Sequence, residues 1–236
     1  MTHKGFEKLQ PLSKKIRVVA ALKEAIVSGK LRPGDPLVEV RLAKRFGVGQ
    51  GLVREALIEL EHQGFVDRSP FAWTQVSTLA DEDARDIFDI RIEIEPLAFD
   101  LAARRASQEQ ISELWALVEK SRQGAELGDL DVAFESHLEY RRQVWDLSGN
   151  RFLTEALERL VAPLYALYLM RADFNREGLL DTIWDGIHHQ EDTLRAFEAG
   201  KPEEAANVVS EFLRRMKDSL GSRLLPKSEG SADDAT

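Results

Sequence analysis

The 236 residues are 43% hydrophobic and 31% charged, the composition of a folded globular chain with room for one large or two small domains. With no cysteine, disulfides, thiolate metal sites and thiol catalysis are excluded. No apolar run reaches the roughly 18 residues of a membrane span. The net charge of −9 hides an asymmetry: residues 1–77 carry 13 Lys/Arg against 8 Asp/Glu, and the remainder 19 against 33. Such a split points to a basic module that meets DNA, joined to an acidic one.

Met1 to Lys15 is polar and lacks the apolar centre of a signal sequence, so a cytoplasmic protein is expected. Residues 1–12 read as a flexible N-terminus closed by Pro11. From Ser13 to Ser28, Ile16, Val19, Ala20, Ile26 and Val27 recur at helical spacing, and Gly29 supplies a stop. Leu31 to Pro36 is turn material. A short helix is predicted over Val38–Phe46, a tight turn at Gly47-Val48-Gly49, and a further helix over Gln50–His62 that ends at Gly64. Two short helices around a glycine turn form a helix-turn-helix pattern. Phe65–Arg68 and Thr74–Ser77 flank Ser69-Pro70 and read as a β-hairpin wing. The winged helix-turn-helix thus spans 13–77.

Thr78 with Asp81 gives a capping signal for the second domain, 78–225. Only helices follow, at about 82–106, 108–126, 129–147, 150–172, 179–199 and 202–221 by periodicity. They predict an all-α antiparallel bundle, and residues 226–236 a disordered tail. The fold expected is therefore mainly α: three helices and a wing, then a helical bundle.

On a helical wheel, Leu42, Ala43 and Phe46 share one arc, while Arg41, Lys44 and Arg45 face outward, as suits phosphate contacts. Leu52, Val53, Ala56, Leu57 and Leu60 form the packing side of the next helix. Gln50 and Arg54 stand near its N-terminus, where such helices meet base edges. Arg grips guanine bidentately, and Gln does the same to adenine. In the bundle, His137 and Arg141 sit within the apolar face of Phe134, Leu138, Val144 and Trp145. Gln190 sits among Ile183, Ile187, Leu194 and Phe197, and Phe212 between Val209 and Met216. His188 falls on the polar side of its helix and His189 on its flank. A lone guanidinium in apolar surroundings demands an anionic partner. Arg141 is therefore expected to clamp an anionic organic effector, with His137 and Gln190 adding hydrogen bonds and Phe212 an apolar wall. The alternative is a buried ion pair with an internal acid. Arg91 is either a second cation or an (i, i+4) partner of Glu95.

Leu37–Val48, with Val53-Arg54-Glu55-Ala56-Leu57 and Lys30-Leu31-Arg32-Pro33-Gly34, closely resembles the GntR family of winged-helix regulators. Ile90-Arg91 with Glu95, and Ser148-Gly149-Asn150, resemble its FCD subfamily, whose helical domain binds effectors. The resemblance implies a homodimeric transcriptional regulator, usually a repressor, on pseudo-palindromic double-stranded operator DNA, and no enzyme. Two departures stand out. Gly49-Gln50-Gly51-Leu52 replaces the family's Ser-Arg-Thr-Pro, and Phe71-Ala72-Trp73 replaces the Arg-Gly of the wing. Only Arg54 carries over directly as a DNA contact, and the substitutions leave weakened DNA binding open. Many FCD domains hold a divalent metal through one Asp and three His. Aligned on Ser148-Gly149-Asn150 and Ala196–Gly200, those positions fall on His137, Arg141, Gln190 and Phe212, so no metal or other cofactor is expected. A residual site from His137 and His189, or a bundle that only dimerises, remain alternatives, as does an enzyme built on His137 and a carboxylate.

Overall fold

The computed structural model describes residues 12–69, 73–170 and 176–220. Of the flexible N-terminus expected over 1–12, Leu12 instead opens a helix, and residues 1–11, the tail at 226–236, and Pro70, Phe71 and Ala72 between the wing strands lie outside the described residues. The chain forms two compact units, Met1–Thr78 with Tyr165–Met170, and Leu79–Leu164 with Arg171–Thr236. The expected boundary at 77/78 falls one residue earlier and leaves residues 165–170 in the second domain.

In the first unit, α1 (Leu12–Val27), α2 (Glu39–Phe46) and α3 (Gln50–His62) precede β1 (Val66–Ser69) and β2 (Trp73–Val76). Helix α1 turns Val18, Leu22 and Ile26 inward, an i, i+4, i+8 stripe. The apolar set read from sequence differs: Ile16 is 58% exposed, and of that set only Ile26 is buried. Gly47 ends α2 in the left-handed region at φ 64°, which lets its N–H bond back to the Ala43 carbonyl. Val53, Ala56, Leu57 and Leu60 of α3 are fully buried and anchor it on α1 and α2.

The wing is an antiparallel pair with Val66 opposite Val76 and Ser69 opposite Trp73. The stretch read as plain turn material belongs to it. Pro36 bridges to Gln75, and the Leu37 N–H donates to the Thr74 carbonyl at 2.8 Å. Residues 35–37 thereby cover an edge that two strands alone would leave open.

The second unit contains α4 (Asp81–Ala103), α5 (Gln108–Leu127), α6 (Leu130–Leu147), α7 (Arg151–Met170, whose last six residues group with the first unit), α8 (Arg176–Glu198) and α9 (Pro202–Asp218). The cap of α4 is not Thr78 with Asp81. Instead the Asp83 carboxylate accepts from the Ala80 N–H at 2.9 Å, two residues later. Helix α5 starts with a reciprocal capping box, Ser107 with Gln110. Short turns at Gly128 and Gly200 fold α5 back on α6 and α8 on α9. Helix α4 packs on α9 and α6, and α8 on α5, α6 and α9. Four helices therefore face one interior: α4, α6, α8 and α9.

Candidate functional site

Arg41, Lys44 and Arg45 of α2 are all exposed, as is Gln50 at the start of α3. Arg54 is exposed too, but it is not free. Its Nε donates to both Glu39 carboxylate oxygens at 3.0 and 3.1 Å, and its Nη2 reaches Oε2 at 2.8 Å. This fork joins the first turn of α2 to the first turns of α3. The hydrogen bond from Arg54 holds the Glu39 carboxyl below its ordinary pKa. Arg54 and Glu39 line an open groove with Arg68 and the exposed ring of Trp73, beside the wing. The backbone around Gly49 and Gly51 is open, with nothing within 4 Å of where a side chain would begin.

In the helical unit the structure corrects the expectation of a lone guanidinium and shows the alternative, a buried ion pair with an internal acid. Arg141 is buried, 3% exposed, and its Nη1 donates to the Glu95 carboxylate of α4. Glu95 is 0% exposed and also accepts from Arg91 Nε at 2.9 Å. Arg91, 5% exposed, is thus both readings at once, an (i, i+4) partner of Glu95 and a second interior cation. Burial alone would push the Glu95 carboxyl up, but Arg141 and Arg91 outweigh it and hold it below the ordinary value. Two guanidinium ions share one carboxylate.

His137, Gln190 and Phe212 join this cluster. The Arg141 Nε donates to His137 Nε2 at 3.1 Å, and the Arg141 guanidinium lies 5.6 Å from the Phe212 ring centre. The imidazole of His137 lies against the backbone of α8 at Gly186. A Cβ there would stand 2.7 Å from His137 Cε1, so glycine is what admits the ring. Gln190 turns its Nε2 toward the His137 carbonyl at 3.5 Å. Burial, then the two arginines, pushes the His137 pKa well below 6.5, so the ring is neutral.

His189 was placed on the flank of its helix and is in fact buried. It stacks on Phe212 with ring centres 4.2 Å apart and planes 8° from parallel. Burial first, then Arg141, His137, Arg215 and Arg91, depresses its pKa well below 6.5. Helix α8 is covered by α5, α6 and α9, so its buried arc is wider than one apolar stripe. Glu95 and His189 are the two members of the cluster that helical-wheel reading did not select. The signal for Glu95 was present, since it shares the spacing of Phe88, Arg91, Ala98 and Ala102 along α4.

The metal implied by the FCD resemblance does not fit these residues. Arg141 has no lone pair to give, and Phe212 has no donor atom. The Nε2 of His137 already accepts from Arg141. Among the described residues no group of three His, Cys, Asp or Glu side chains is arranged to hold a metal ion. Among the same residues no helix is long and apolar enough to cross a membrane.

Comparison with known proteins gives two family matches. Residues 14–72 match the bacterial regulatory proteins of the gntR family, and residues 86–215 match the FCD domain. McbR of Escherichia coli, an HTH-type transcriptional regulator, is 29% identical over 156 residues, 66% of this chain and 71% of McbR. YdhC of Bacillus subtilis, an uncharacterized HTH-type transcriptional regulator, is 32% identical over 143 residues, 59% of this chain, and the match takes in only 62% of YdhC. A probable D-xylose utilization operon transcriptional repressor of Paenarthrobacter nicotinovorans is 28% identical over 78% of this chain and 79% of its own length. The solved structure of E. coli McbR/YncC superposes with a TM-score of 0.69 at 24% identity, covering 89% of this chain and 98% of that one.

Proposed function

The chain belongs to the GntR family of bacterial regulatory proteins and carries an FCD domain, and from that premise we propose that it is a DNA-binding repressor released or engaged by a small organic anion held between α4, α6, α8 and α9. The observation that carries the effector reading is the charge of the interior. Arg91 and Arg141 are both buried, and among the described residues Glu95 is the carboxylate that pairs with them. An uncompensated interior charge costs several kcal/mol, so the bundle gains from any anion that enters. Arg141 takes over the electrostatic role that a metal plays in other FCD domains, and the site works without one. His137 and Gln190 then orient the guest, and Phe212 walls the site.

The reading head is supported by the exposed cations Arg41, Lys44 and Arg45, suited to phosphate, and by Gln50 and Arg54, suited to base edges. As a homodimer the protein would set two α3 helices about 34 Å apart, one DNA turn, or a multiple of that, on a pseudo-palindrome. Repression follows relatives such as the Paenarthrobacter protein, whose name describes a repressor. The anion can shift DNA binding only by favouring one arrangement of the dimer over another.

Two measurements test this. A gel shift on genomic fragments should give a complex that weakens steeply with salt, and no complex at low salt would end the repressor reading. A thermal-shift screen of organic acids should raise the melting temperature with at least one of them. A bundle that only dimerises would respond to none.

A further inference from the structure

Two buried acceptors beside the excess cation bear on which anion the site takes. The Nε2 of His137 accepts from Arg141, which puts the ring proton on Nδ1. For His189 we take the Nδ1–H tautomer, the one that lets the ring donate to Thr193 Oγ1. Thr193 Oγ1 gives its hydrogen to the His189 carbonyl at 2.8 Å. Its 3.4 Å contact with Nδ1 is therefore one in which the hydroxyl oxygen accepts. That leaves His189 Nε2 as a bare acceptor, buried and without a partner. Gln190 is alike: its Nε2 faces the His137 carbonyl, and its buried Oε1 has no partner. His189 is 2% exposed and Gln190 0%. Buried polar atoms are seldom left unpaired, and each costs on the order of 1–3 kcal/mol until a donor arrives.

The cluster therefore has a definite formal charge. Arg91 and Arg141 contribute two positive charges and Glu95 one negative, and both imidazoles are neutral. Over the described residues the sum is a single positive charge. A monoanion cancels it. A dianion would leave a net negative charge in the interior, and its second carboxylate would face the lone pairs of Gln190 Oε1 and His189 Nε2. A hydroxyl or N–H on the guest would instead donate to them.

We propose that the site recognises a monocarboxylate bearing a hydrogen-bond donor, its carboxylate on the Arg91–Arg141 pair and its hydroxyl or N–H on Gln190 and His189, and that it discriminates against dicarboxylates. The proposal rests on the effector reading above. It differs from the metal-centred alternative in that selectivity comes from a count of fixed side-chain charges.

The test is calorimetry on the full-length protein with four acids of equal carbon count: butyrate, 3-hydroxybutyrate, succinate and malate, with the corresponding three- and five-carbon sets. The hydroxy-monocarboxylate should bind tightest within a set, about tenfold or more below the dicarboxylates in Kd. Butyrate should fall between. A dicarboxylate that equals or exceeds its monocarboxylate partner overturns the charge argument but leaves the effector reading intact. Equal affinity with and without the hydroxyl overturns the donor half. No heat from any acid overturns the effector reading and this inference together. Arg91→Gln brings the sum to zero and should weaken the best monocarboxylate about tenfold or more. Glu95→Gln raises the sum and should move preference toward the dicarboxylate. Because losing Glu95 threatens the fold, Arg91→Gln carries the test if that variant does not fold, and unchanged monocarboxylate affinity in it would overturn the proposal.

Discussion

Each unit of this protein holds an arginine–glutamate arrangement, and the two have opposite consequences. In the reading head, Arg54 and Glu39 form a well-aligned fork on the surface. Water solvates both partners when they separate, so exchanging Glu39 for a phosphate or a base costs little. In the bundle, Arg91, Glu95 and Arg141 make similar contacts out of reach of water. There the desolvated charges cannot separate cheaply, and among the described residues two guanidinium ions meet one carboxylate. Similar chemistry thus makes a contact that separates cheaply in one place and one that is costly to break in the other. The dielectric around it makes the difference.

The largest effect that separates the two is Glu95→Ala. It strands two buried guanidinium ions and should cost about 3–5 kcal/mol in urea denaturation of the full chain. A loss below about 1 kcal/mol would show that water reaches the cluster, and the contrast would collapse.

Acid should reveal the buried histidines next. His189 has a folded pKa well below its ordinary 6.5, so below that pH the unfolded chain binds the extra proton. Its contribution is complete above about pH 6.5 and is lost as pH falls, at about 1.4 kcal/mol per pH unit until the folded pKa is reached. Glu95, also depressed, adds its own loss only below its ordinary 4.5. His189→Phe preserves the stack on Phe212 and should make the stability profile less steep between about pH 6.5 and 5, while His137, also depressed, keeps its own share of the slope. An unchanged slope would mean that His189 is solvated.

A smaller effect is expected for Gly186→Ala. The new Cβ meets His137 at 2.7 Å. Overpacking of about 1–3 kcal/mol is offset by about 1 kcal/mol of helix propensity. A net loss near 1 kcal/mol should accompany a blunted response to organic acids. A stabilised protein with full response would show that His137 is not held by α8. Smallest in stability is Glu39→Gln, for which no resolvable change in melting temperature is expected. Its readout is DNA affinity, since Arg54 is then released from the fork. A large drop in melting temperature would make the fork structural and erase the distinction from the bundle.

Much of this was legible in local pattern. The extent of α3, the outward cations of α2 and the burial of Phe134, Arg141, Val144 and Trp145 on α6 follow from a 3.6-residue period, because burial of one face leaves its mark every three to four residues, whereas Leu138 and His137 of the same expected face are half-buried. Gly47 marks its turn because the left-handed backbone there suits glycine. The inward face of α1 was misread, since Ile16 is apolar yet exposed. The Pro36 bridge to β2 was missed because pairing between distant segments has no local period.

The amino-acid order alone determined the family, the class of each segment and the presence of an arginine on the inner face of α6, because these depend on side-chain type and helical spacing. The tertiary structure decided that Glu95, 46 residues away, meets Arg141, that His189 lies inside, and that Arg91 and Arg141 share one carboxylate. Charge balance in a bundle is a sum over helices that meet only on folding, and no single helix carries it.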